Sequence, residues 1–196
     1  SSTISDPLVR EELYELDWIS LKVDAATEAE WKAVDRPQKD LDLVQILDGI
    51  REFAADFPGI LTTETMLIEG KNDSDAAVNA TAGFLEEIEP DLAYIAIPTR
   101  PPAEPWCRPA PEERLVYAYT RFASVLPKVE HLIGYEGNEF SHTGDARTDI
   151  LSITGVHPMR EDAVTELLEH DNAEWEVVNR LIEEGLIITA DYNEHR

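Results

Sequence analysis

The chain has 196 residues, enough for one large domain or a medium and a small one, and its 43% hydrophobic content can support a packed core. It carries 41 Asp and Glu against 16 Lys and Arg, a formal charge of −25, with no basic stripe, so DNA is disfavoured as a partner. No apolar run reaches the roughly 18 residues that a membrane span needs, and no basic segment precedes an apolar one at the start, so the expected location is cytoplasmic.

Only five of the cations are Lys and eleven are Arg. Acidic residues occur on every predicted helix. This pattern fits an organism that keeps molar salt in its cytoplasm, where a Debye length of about 3 Å at 1 M makes such charge density tolerable. Cys107 is the one thiol; it can neither form an internal disulfide nor hold a cluster that needs three or four thiolates.

In chain order, residues 6–16 carry Leu8, Val9, Leu13 and Leu16 at helical spacing behind Asp6-Pro7. Residues 19–24 alternate and predict a strand. Thr27 opens a short helix to Val34, with Glu30 placed to complete a capping box. Residues 41–57 form an amphipathic helix that Pro58-Gly59 stops. A strand over 60–68 precedes a loop and a helix over 74–88. A short strand over 92–98 leads into a loop rich in Pro, Arg and Trp. A helix over 111–126 and a strand over 129–135 complete the series. Strict alternation of strand and helix demands parallel strands with right-handed crossovers. Residues 138–146 are polar and Gly-containing and predict a linker. Helices over 147–154, 160–170 and 173–184, then a strand over 186–190, suggest a winged helix whose second wing strand is missing. Without an initiator Met at one end and a paired wing at the other, the chain is expected to be cut at both ends. The expected organisation is a half β/α barrel over 1–137, a linker over 138–146 and a truncated winged-helix-like segment over 147–196.

Parallel β/α units place ligands at the C-terminal ends of their strands. Those ends carry Lys22 and Asp24, then Arg36; Glu64, then Asn72; and Arg100, Glu104 and Trp106 in the proline-rich loop. Lys22 and Asp24 lie two apart and share a face. That pair suits a sugar hydroxyl or an amino-acid head group. Glu64 in mid-strand needs a partner if buried, and Lys22 and Arg100 are its candidates. Pro98, Pro101, Pro102 and Pro105 fix φ around Arg100 and Glu104, as a rigid site would require. All seven residues, Lys22, Asp24, Arg36, Glu64, Asn72, Arg100 and Glu104, are candidates for binding cofactor or substrate. None of the five histidines has zinc-ligand spacing with a second His or Cys, and no Gly-rich phosphate loop occurs.

The strings Leu21-Lys22-Val23-Asp24-Ala25-Ala26, Arg36-Pro37, Glu64-Thr65-Met66-Leu67-Ile68, Asn72-Asp73 and Pro98-Thr99-Arg100-Pro101-Pro102-Ala103-Glu104-x-Trp106 resemble the radical S-adenosylmethionine (SAM) superfamily. The similar branch is that of the wyosine-tRNA synthetase-like iron–sulfur oxidoreductases, here from a halophilic archaeon. The resemblance covers residues 1 to about 136. It implies a partial β/α barrel that holds a 4Fe-4S cluster and SAM, with reductive cleavage of SAM starting radical chemistry on a small-molecule or tRNA substrate. The family's Cys-x3-Cys-x2-Cys motif is absent, so the resemblance implies a C-terminal fragment. Its partner is the missing N-terminal half of the same polypeptide, and it is inactive alone with neither cofactor retained. The competing reading is a non-enzymatic acidic binding or regulatory module acting through its winged-helix tail.

Overall fold

A computed structural model describes residues 2–99, 102, 104–132, 143–155 and 158–190. The chain divides into two compact units, one formed by residues 1–99 and 103–134, the other by 100–102 and 135–196.

The first unit is a four-stranded sheet in the order β1-β2-β3-β4, every pair parallel. The strands are β1 Trp18–Lys22, β2 Ile60–Met66, β3 Leu92–Ala96 and β4 Val129–Leu132. Its helices are α1 Pro7–Leu13, α2 Glu28–Val34, α3 Leu43–Asp56, α4 Asp75–Ile88 and α5 Glu112–Ala123. Strands added in sequence order through right-handed crossovers put every crossover helix on the same face. Residue alternation follows. Leu21, Thr63, Ala93 and Val129 are in register and buried. Leu21, Ala93 and Val129 meet Phe53 and Ile50 of α3, Leu85 of α4 and Phe122 of α5 in one core. The opposite face carries Trp18, Ile60 and Leu132, 54%, 53% and 38% exposed.

Helix boundaries follow local chemistry. Asp42 caps α3 through the Gln45 N–H, and Ser74 caps α4 through the Ala77 N–H. Thr27 stands at the N-cap of α2, but its hydroxyl makes no cap hydrogen bond and has no partner, so the expected capping box does not form. The N-terminal segment crosses α3 at Gly49. A Cβ there would lie 2.7 Å from the Ile4 carbonyl oxygen. Glycine therefore permits this backbone contact, and Ile4 is buried beside it. Tyr14, just past α1, stacks on Phe53, which stacks on Phe57, at centroid distances of 5.2 and 4.7 Å.

The second unit contains α6 Ala146–Thr154, α7 Glu161–His170 and α8 Glu176–Glu183 around Ile150, Leu167 and Leu181. Residues 186–190, expected as a wing strand, are not a strand. Among the described residues they have no ladder partner, and Ile188 is 86% exposed, so nothing satisfies an extended backbone or covers its side chains. Asp149 is buried, and its carboxylate accepts the Thr143 N–H and hydroxyl. The Thr143 backbone bond, outweighing burial, holds the Asp149 carboxyl below the usual carboxylate range.

Candidate functional site

The C-terminal ends of β1 and β2 bring Lys22, Asp24 and Glu64 together in a polar cluster. Lys22 closes β1, and its Nζ lies 3.2 Å from Asp24 Oδ1 and 3.4 Å from Glu64 Oε1. After Lys22 the chain leaves the sheet. The Val23 N–H still reaches the Glu64 carbonyl at 2.9 Å, but the Met66 N–H has no strand carbonyl opposite it and donates to Asp24 Oδ1 at 2.8 Å. The Asp24 side chain is thus a backbone surrogate, 1% exposed. Burial alone would depress the Lys22 ammonium, but the charges of Asp24 and Glu64 outweigh it and raise its pKa above the ordinary value.

Asn72 locks the same turn from beneath. Its amide nitrogen donates to the Asp24 and Met66 carbonyls, both at 2.8 Å, and its Oδ1 accepts the Ile68 N–H at 2.9 Å. All of its polar capacity goes to backbone, and it is 2% exposed. Expected as a ligand contact, Asn72 instead shapes the loop.

Asp35 follows α2 and faces Asp24. Burial first, then the negative charge of Asp24, pushes the Asp35 carboxyl up to about 7, and the protonated acid hydrogen-bonds the Asp24 side chain. A cleft of about 270 Å³ opens here, with Lys22, Asp24 and Asp35 on its polar side and Trp31, Pro37 and Leu41 among its apolar walls. Asp35 stands with Arg36 and Pro37 after the first strand in sequence, but a carboxylate closing a short helix looks like an ordinary surface residue and is not among the candidates. Arg36, the next residue, adopts a left-handed φ of 46°.

Arg36 turns away from this cluster and pairs with Glu104 in the proline-rich loop. The Arg36 hydrogen bond, then its charge, holds the Glu104 carboxyl below its ordinary value, and the Trp106 indole N–H adds a further bond. Lys71 lies over the Trp106 ring, 4.8 Å from its centroid. Arg36 and Glu104 therefore tie the loops after α2 and β3 together. Arg100 lies outside the described residues. Cys107 is half-buried, and burial raises its thiol pKa. No group of three His, Cys, Asp or Glu side chains arranged to hold a metal occurs among the described residues.

No family model matches the chain. A UPF0026 protein of Methanocaldococcus jannaschii is 36% identical over 195 residues, 98% of this chain. The chain spans 61% of that relative's length. A UPF0026 protein of Synechocystis is 33% identical over 52% of this chain and 37% of its own. Among solved structures, a domain of pyruvate-formate lyase-activating enzyme from Bacteroides vulgatus aligns with a TM-score of 0.53 and 18% identity, covering 66% of this chain and 76% of that one. A radical SAM methyltransferase from Sphaerobacter thermophilus aligns at 0.48 with 20% identity, covering 65% and 38%. The parallel β/α architecture of the first unit is thus shared with the activating-enzyme domain.

Proposed function

We propose that this chain is the C-terminal part of a radical SAM enzyme, contributing one wall of its barrel and part of its cofactor and substrate site. The observation that carries the reading is the four-strand parallel sheet with helices on one face and charged strand ends on the other side, a fold shared with a pyruvate-formate lyase-activating enzyme domain. The motif resemblance over residues 1 to 136 supports it, and the chain spans 61% of the length of its longer Methanocaldococcus relative, as part of a larger protein would.

A 4Fe-4S cluster does not fit the residues present, because Cys107 is the only thiol. The cluster therefore belongs to another part of the parent polypeptide, which in this reading supplies the missing N-terminal half of the barrel. SAM fits better. Lys22 offers an ammonium to its carboxylate and Asp35 a carboxyl oxygen to its amino group, beside the apolar walls of Trp31 and Pro37, while buried Asp24 positions both side chains. Bound SAM would supply the radical that starts the chemistry. The chain's own residues bind and orient the amino-acid head, and Arg36–Glu104 holds the loop above it. The substrate, small molecule or tRNA, and a winged-helix role for residues 147–196 belong to the same proposal.

The test uses the longer parent protein, anaerobically reconstituted with iron and sulfide. Reductive release of 5′-deoxyadenosine from SAM supports the reading, and Lys22→Met is expected to weaken SAM binding while iron content stays unchanged. A parent that takes up no cluster, or cleaves no SAM when reduced, overturns it.

A further inference from the structure

The register sets one polar row across the face of the sheet away from the helices: Lys22 opposite Glu64, Glu64 opposite Tyr94, and Tyr94 opposite Glu130, with Leu92 and Ala96 on either side of Tyr94 buried and Tyr94 itself half-buried. Alternation puts all four on the face away from the helices, because Leu21, Thr63, Ala93 and Val129, one position earlier in each strand, are buried against them. Along the strands that face changes character. Its N-terminal end is apolar, with Trp18, Ile60 and Leu92, whereas this row sits toward the C-terminal ends. All-parallel sheets are normally covered on both faces. An apolar end below a charged row suits packing at the floor and a polar ligand above it.

Neighbouring strands are about 4.8 Å apart, so Tyr94 stands between two carboxylate-bearing positions at that spacing. The outer flank of Glu64 is occupied by Lys22, and Glu130 Oε1 pairs with Lys128 at 3.2 Å. Between them the Tyr94 ring has no cation over it among the described residues, and its hydroxyl has no hydrogen-bond partner there. An aromatic face with a carboxylate on each side attracts an ammonium through both the ring quadrupole and the charges. The same row repels phosphate.

We propose that Glu64, Tyr94 and Glu130 form a recognition site for a protonated amine on a small ligand, with Tyr94 as its specificity-determining residue. The inference names the ligand class of the barrel-wall site and rests on the enzyme reading for the inward direction of that face. It favours a small amine over an RNA substrate.

The experiment measures binding of putrescine to the 196-residue chain by calorimetry at constant ionic strength, with succinate and a short oligoribonucleotide as anionic probes. Saturable binding of putrescine and none of the anions is expected. Tyr94→Leu and Glu130→Gln are each expected to weaken it roughly tenfold, the loss of one charge-assisted or cation–π contact. Lys22→Met, which frees Glu64, is expected to tighten binding, whereas Lys32→Met, which removes an equal charge on α2, leaves it unchanged. Equal affinity in Tyr94→Leu, equal effects of the two Lys variants, or preferential binding of the oligoribonucleotide overturns the proposal. Thermal melts of each variant separate lost binding from lost folding. Because this readout needs no cluster, SAM cleavage by the parent without amine binding here would sink only this inference. Amine binding with a cluster-free parent would sink only the enzyme reading.

Discussion

Asp35 and Asp24 share a boundary between core and solvent, and the two carboxyls cannot both be ionised there without cost. Asp35 is displaced upward from 3.8 to about 7, so the folded chain holds a proton that the unfolded chain has already released across that window. Stability must therefore fall as pH rises from about 4 to 7, and this contribution is fully lost above the folded value. Asp35→Asn keeps a hydrogen-bond donor toward Asp24 and cannot ionise. Relative to the parent chain, its Tm should gain across that window and hold a constant advantage above pH 8. Melting curves taken through the range check this, and parallel profiles would show that the two carboxyls do not share a proton. The contrast with Asn72 is instructive. Asn72, which looks like a ligand group in sequence, has its amide saturated by three backbone partners, whereas Asp35, which looks like an ordinary carboxylate closing a helix, retains a titratable proton.

At the scale of elements, β2 is the central problem. It is flanked on both sides, and three of its residues, Thr62, Thr63 and Thr65, are buried threonines at positions where parallel sheets prefer aliphatic residues. Thr62 and Thr65 place their hydroxyls on the Ile19 and Val23 carbonyls at 3.1 and 2.8 Å. Thr63 points into the helix-covered core, is fully buried and leaves its hydroxyl without a partner. Thr63→Val, which is nearly isosteric, should remove that desolvation penalty and raise stability by about 1 kcal/mol. Denaturant unfolding tests it, and a destabilised variant would mean that the hydroxyl does have a partner. The strands and helices around β2 were legible because apolar spacing alternated between the two periods without interruption. The register was not, since periodicity fixes which face a residue takes but not its opposite number. The Tyr94 row therefore emerges only from the pairing, and Tyr94 reads in sequence as one more core residue of an apolar strand. The unformed strand at 186–190 failed for a related reason: β-propensity in Leu186–Ala190 is a local property, whereas a strand exists only with a neighbour.

The whole molecule carries −25 on 196 residues, and the ion pairs among the described residues do little to offset this. Most join exposed groups, such as Lys32 with Glu28 at 61% and 70% side-chain exposure, where a pair contributes little. Acids outnumber bases by more than two to one, so most carboxylates cannot each have a cation of their own. Repulsion of this kind acts on the compact state more than on the expanded one, and salt screens it, with a Debye length falling from about 10 Å at 0.1 M to 3 Å at 1 M. Adding KCl to molar concentration should therefore raise Tm. For a chain of this length each kcal/mol of relieved repulsion corresponds to about 2–4 °C. Potassium chloride is the informative salt, because a sulfate would also strengthen apolar burial and raise Tm for a different reason. The rise should be steepest below about 0.5 M, where the Debye length changes most, and should shrink in a variant with several exposed helix Glu residues replaced by Gln. A Tm that is flat in KCl would show that the acidity has no role in salt adaptation. A rise that persists undiminished in the Gln variant would assign the effect to ion binding at specific sites instead of to screening of the surface charge.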